Sequence, residues 1–98
     1  MTAERAFLVP EGVHARRVGN EVVILDLAGG QYYALDEVGA AIWERLARGE
    51  TIDEAAEHLE KVFAVARAQL VGDIERLVDE LIARDLLVRR LTNDPRSS

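Results

Sequence analysis

The chain holds two histidines, His14 and His58, and neither stands within an obvious ligand set. Glu54 and His58 fall four residues apart, a spacing that puts both on one face of a helix. Such a pair can share a metal ion, but without a third ligand in view the commoner outcome is an exposed ion pair. There are no cysteines, which removes disulfides, thiolate metal sites and a cysteine nucleophile. The only serines are Ser97 and Ser98, at the far end, which removes Ser-His-Asp chemistry. Gly29-Gly30 precedes a strand-like segment instead of a helix and has no following lysine, so it is no phosphate loop. Asp26 interrupts an apolar run and reads as a turn-stabilising or solvated side chain. Trp43, at helical spacing beside Ile42 and Leu46, reads as core. These residues assemble no catalytic, metal or cofactor constellation, and the expectation is a non-enzyme that needs no cofactor.

Composition narrows the partners. The chain has 98 residues with 49% hydrophobic and 31% charged side chains, which suits one globular domain of modest core. No apolar run approaches the ~20 residues of a membrane span. The opening Met-Thr-Ala-Glu-Arg-Ala-Phe has no signal-peptide core, so a cytoplasmic protein without membrane contact is expected. The formal net charge is −6. A small α+β domain of the winged-helix type invites comparison with DNA binders, and charge tests that idea. Residues 66–85 carry Asp73, Glu75, Asp79, Glu80 and Asp85 against Arg67, Arg76 and Arg84, and residues 36–61 carry eight acids against three bases. A helix that reads DNA needs cations to displace condensed counterions, so no nucleic-acid partner is expected.

The elements follow from periodicity. The first nine or so residues have no clear period and read as a loose arm. Val13 to Val18 is a strand, Gly19-Asn20 a tight turn, Val22 to Leu27 a second strand, Ala28-Gly29-Gly30 a turn, and Gln31 to Leu35 a third strand. Asp36 caps a first helix, with Val38, Ile42 and Leu46 at i, i+4, i+8 and Gly49 ending it. Thr51 and Glu54 have the spacing of a capping box for a second helix that runs to about Phe63. A third helix spans about 66 to 84, its apolar face formed by Leu70, Val71, Ile74, Leu77, Val78, Leu81 and Ile82. Gly72 within it costs roughly 1 kcal/mol relative to alanine. Leu86-Leu87-Val88 packs back or adds a short strand, and Thr92 to Ser98 reads as a frayed tail. The order is βββααα: an α+β fold of a three-stranded antiparallel sheet followed by three helices, winged-helix-like. Three strands cannot close on themselves, so the sheet keeps open edges, and an open edge is either guarded or used.

The ordered texture Val22-Val23-Ile24-Leu25-Asp26-Leu27-Ala28-Gly29-Gly30-Gln31-Tyr32-Tyr33-Ala34-Leu35-Asp36-Glu37-Val38-Gly39-Ala40-Ala41-Ile42-Trp43-Glu44-Arg45-Leu46 resembles the PqqD-like family. So do the later Gly49-Glu50-Thr51-Ile52-Asp53-Glu54, Asp73-Ile74, Leu77-Val78 and Leu86-Leu87. Members of this family are also called RiPP recognition elements. The resemblance covers about residues 10 to 90 and is greatest to the stand-alone B1 proteins of lasso-peptide pathways. Where the PqqD of pyrroloquinoline quinone synthesis has a Leu-Leu-x-Pro-Glu element, this chain reads Leu27-Ala28-Gly29-Gly30, a departure from that branch. The resemblance implies a single non-catalytic domain that binds the leader part of a ribosomally made precursor peptide. The peptide would add as a strand on the third strand, beside the third helix, and be presented to a leader peptidase or another maturation enzyme. For a PqqD-type chaperone the partner would instead be a radical-SAM enzyme. A protein-docking regulatory subunit is the reading from a different class.

On that basis the site residues are Gln31, Tyr32, Tyr33 and Ala34 on the strand and Leu70, Asp73, Leu77, Glu80 and Arg84 on the helix. The helical set is spaced 3, 4, 3, 4, one stripe along the border of the apolar face. Main-chain pairing supplies affinity and the stripe supplies selectivity, with Asp73 and Glu80 placed to meet a basic leader residue. The protein is expected to be a monomer, or a weak homodimer through the open strand. The acidic segment 36–61 is the sequence's candidate for an enzyme-docking surface.

Overall fold

Residues 5–90 are described by the computed structural model of the chain. The tail expected at Thr92–Ser98 lies outside them. Strands β1 (Phe7–Leu8), β2 (Val13–Val18), β3 (Glu21–Asp26) and β4 (Gln31–Leu35) precede helices α1 (Glu37–Ala47), α2 (Ile52–Phe63) and α3 (Arg67–Ala83), and β5 (Val88–Arg89) follows. The expected α+β order is present: β2-β3-β4 form a three-stranded antiparallel sheet ahead of three helices. Winged-helix-like describes it only loosely, because β1 and β5 form a separate two-stranded antiparallel sheet, with Phe7 opposite Arg89 and Leu8 opposite Val88.

That small sheet corrects the reading of residues before Pro10 as a loose arm. Phe7 is fully buried within the main core. Its neighbour Ala6 donates to the Gly49 carbonyl at 2.8 Å, and Arg90 donates from its backbone to Ala6 at 2.9 Å. Gly49 permits this approach. Its φ is +95°, and a Cβ there would lie 2.5 Å from the Arg5 side chain. A two-residue strand is too short to show period two, which is why pattern reading passed over it.

The hairpin turns follow the local chemistry. Val18 pairs with Glu21, so Gly19-Asn20 is the two-residue turn. Gly19 alone takes positive φ, the arrangement with glycine first in the turn. The second sheet strand ends one residue earlier than expected, leaving Leu27 exposed outside it. Asp36 caps α1 by accepting from the Gly39 N–H at 2.8 Å. Thr51 and Glu54 form the reciprocal capping box of α2, at 3.0 and 2.9 Å. At the end of α3, Asp85 adopts φ +61°, while Asp85 N–H bonds Ile82 and Leu86 N–H bonds Leu81. This is a Schellman ending, and it turns the chain so that Leu86 and Leu87 enter the core.

One apolar core joins the layers. Val22, Ile24 and Leu35 of the sheet meet Ile42, Trp43 and Leu46 of α1 within the cluster that includes Leu59 of α2 and Leu70, Ile74, Val78 and Leu81 of α3. Trp43 is core, as its spacing indicated. Val38 is not: it is exposed, and the inward face of α1 runs instead through Ala40, Ile42, Trp43 and Leu46. The helices cover one face of the sheet only. Register places His14, Leu25 and Tyr32 in one row of the other face, and Arg16, Val23 and Ala34 in the next.

Candidate functional site

Sheet order leaves β2 and β4 as the two edges. An edge offers alternate N–H and C=O groups to any strand that can reach it, and charged side chains are the usual guard. The edges differ in this respect. β2 carries His14, Arg16 and Arg17, and Arg17 is anchored to Glu44 of α1 at 2.5 Å. β4 reads Gln-Tyr-Tyr-Ala-Leu and has no charge at all. Its start is set by the preceding turn: Asp26 accepts from the Gly29 N–H at 3.0 Å and faces the Gln31 amide at 3.4 Å. The Gly29 N–H, and then the Gln31 side chain, hold the Asp26 carboxyl below its ordinary range. Asp26 thus acts as a turn residue, one of the two roles its sequence position suggested.

Beside β4 runs one shoulder of α3. Arg84 places its guanidinium 4.8 Å from the centre of the Tyr33 ring. Gln31 reaches the Arg84 carbonyl at 3.5 Å, and Arg84 pairs with Glu80 at 3.4 Å. Burial of the Tyr33 ring, and then the facing Glu80 carboxylate, raise its hydroxyl above the ordinary tyrosine range. Gln31, Tyr33, Glu80 and Arg84 therefore converge although Gln31 and Arg84 lie 53 residues apart in the chain. Leu77 is half-buried on the same stripe. Asp73, one turn earlier, is half-buried and paired with Arg76. A basic peptide residue would have to compete with that arginine for it.

The remaining expected site residues lie elsewhere. Leu70 is 1% exposed and belongs to the core, so it has no surface to offer a peptide. Tyr32 is 70% exposed and, with Ala34, points its side chain to the uncovered face of the sheet. Only the backbones of these two residues belong to the edge. The period of two decides this, because Ile24, a core residue, pairs with Tyr33. The Glu54–His58 pair does not form. Glu54 closes the capping box, and His58 Nδ1 lies 3.2 Å from Glu50. Among the described residues no three His, Cys, Asp or Glu side chains gather as a metal ion would require. No described helix is long and apolar enough to cross a membrane. The Gln31 contact with the helix end is a residue role that sequence reasoning missed, since nothing local marks a glutamine at a strand start.

An uncharged open edge flanked by a helix end can accept a peptide by strand addition. The family described as Coenzyme PQQ synthesis protein D (PqqD) matches residues 21–87, and the chain belongs to it. Two solved structures share the fold. TbiB1 in complex with the TbiA(beta) leader peptide superposes with a TM-score of 0.79 at 27% identity, covering 87% of this chain and 99% of that one. A lasso peptide synthetase B1 complexed with the leader peptide gives a TM-score of 0.77 at 25% identity, covering 85% of this chain and 98% of that one. No curated protein matches the sequence.

Proposed function

We propose that this protein is a non-catalytic adaptor that binds the leader region of a ribosomally made precursor peptide and presents it to a maturation enzyme, such as a lasso leader peptidase. The observation that carries the reading is the contrast between edges. β2 is guarded by His14, Arg16 and Arg17, whereas β4 is uncharged and meets the C-terminal end of α3 through Tyr33, Glu80 and Arg84. The likeness to two B1 structures bound to a leader peptide supports leader binding.

In this mechanism the leader pairs antiparallel with the backbone of Gln31, Tyr32, Tyr33 and Ala34. Alternate leader side chains then turn toward Tyr33, Leu77, Glu80 and Arg84, with Asp73 at the far end of the stripe. Main-chain bonds supply sequence-independent affinity, and the stripe discriminates among leaders. Holding a substrate peptide next to its enzyme raises the local concentration, so the adaptor accelerates processing without chemistry of its own. We place the adaptor in the cytoplasm and expect a monomer, because a leader and a second copy would compete for the same edge.

Fluorescence polarisation of a labelled leader, taken from the precursor encoded beside this gene, tests the proposal. Saturable binding that an unlabelled leader displaces and a scrambled leader does not is the expected result. A folded protein that binds no such leader would refute it.

A further inference from the structure

One well-formed cavity among the described residues lies away from the β4 edge. It has a volume of about 480 Å³ and opens between the β1-β5 sheet, the start of α2 and the first half of α3. Ala6, Phe7, Ile52 and Val71 make its apolar lining, and Arg5, Arg89 and Arg90 stand around them. Asp53 and Glu75 also reach it.

What sets the cavity apart is that three cations gather at one rim. Acids outnumber bases, with a net charge of −6. Arg17, Arg45, Arg67, Arg76 and Arg84 each have a carboxylate partner. Among the described residues Arg5, Arg89 and Arg90 have none. Arg5 bonds the Ala47 carbonyl, and Arg89 lies over the Phe7 ring at 5.3 Å. Arg16, Arg48 and Lys61 also lack an ionic partner among the described residues but are not part of this cavity. Three guanidinium groups without a carboxylate partner among the described residues, against Asp53 and Glu75, leave the rim net positive and fit a carboxylate-bearing, partly apolar occupant. Next to the hollow the same small sheet exposes Leu8 and Val88, 41% and 46% accessible, so the apolar surface continues past the cavity. A protein segment covers such an area, and a small anion does not.

Position on α3 makes this surface compatible with leader binding. At about 100° per residue, Leu77, Glu80 and Arg84 centre on one shoulder of the helix, and Val71 and Glu75 on the other, roughly 170° away. The buried stripe of Leu70, Ile74, Val78 and Leu81 lies between them. A partner seated at Val71 and Glu75 leaves the β4 edge open.

We infer that this cavity is the docking site for an acidic, partly apolar segment of the maturation enzyme, on the opposite shoulder of α3 from the leader. The inference rests on the adaptor reading above. It also moves the enzyme contact away from the acidic segment 36–61, of which only Thr51, Ile52 and Asp53 line the cavity.

The test uses the full chain, its labelled leader and the purified leader peptidase encoded beside it, with both affinities measured for each variant. Arg90→Glu is the mildest change, since the Arg90 backbone rather than its side chain holds the small sheet. Arg89→Glu with Arg90→Glu is the stronger one. Peptidase affinity should fall about tenfold or more in the double variant and several-fold in the single one. Leader affinity should stay within about twofold, which also shows that the variants fold. Peptidase binding indifferent to both variants overturns the inference, as does a wild type that binds leader but not peptidase. A second copy in the cavity would appear as a dimer in sedimentation that Arg90→Glu dissolves, and that too overturns it. Failure of the adaptor reading is distinct, because the wild type would then not bind the leader.

Discussion

Tyr32 and Tyr33 are adjacent, yet the sheet assigns them opposite faces, and this yields a discriminating experiment. Tyr33 is half-buried between β4 and the Arg84 guanidinium, and Tyr32 is 70% exposed on the uncovered face. A peptide strand added at β4 would cover what the half-buried Tyr33 ring still exposes, taken as ~60 Å², roughly a third of what an aromatic side chain can bury. At about 25 cal/mol per Å² this is worth about 1.5 kcal/mol. Tyr33→Ala should therefore weaken leader binding roughly tenfold, since each 1.4 kcal/mol is a factor of ten. Tyr32→Ala should leave affinity within about twofold, because its ring meets neither the groove nor the peptide on this geometry. Arg84→Gln removes the cation above the ring. Since Tyr33 and Arg84 touch, the double variant should lose less affinity than the sum of the two single losses. Fluorescence polarisation with the labelled leader reads all four proteins, and thermal melts confirm that each is folded. A loss for Tyr32→Ala equal to or greater than that for Tyr33→Ala would refute the face assignment and put the leader on the outer sheet surface.

Other outcomes follow from the same packing. Phe7→Ala should cost about 3 to 5 kcal/mol in denaturant unfolding, as expected for a fully buried aromatic and not for a residue of a loose arm. Gly72→Ala should stabilise α3 by about 1 kcal/mol, because an added Cβ meets only the Arg76 guanidinium at 3.8 Å; a melting temperature that does not rise would contradict this. The depressed Asp26 carboxyl contributes stability that is complete above 3.8 and lost as pH falls through its folded value, so Asp26→Asn should flatten the acid limb of the stability curve. The raised Tyr33 hydroxyl acts at the other end: stability complete below 10.0 declines as pH rises through its folded value, and Tyr33→Phe should remove that alkaline component.

The sequence alone determined what local physics can specify. β-Branched, aliphatic and aromatic residues between turn signals marked the three sheet strands, and period 3.6 with capping residues marked the helices. Asp36 and the Thr51–Glu54 box sit where their side chains satisfy the first N–H groups of α1 and α2. The stripe on α3 was legible too, since helical spacing alone puts Leu77, Glu80 and Arg84 together. Tertiary structure decided the rest. It buried Leu70 and exposed Val38, because which part of an apolar face is covered depends on the neighbours it meets. It gave His58 to Glu50 instead of Glu54, because the capping box had already claimed Glu54. It paired Phe7–Leu8 with Val88–Arg89, a contact across nearly the whole chain that two-residue strands cannot announce. That same closure brought Arg5, Arg89 and Arg90 around one hollow, and only a folded chain makes neighbours of residues so far apart in sequence.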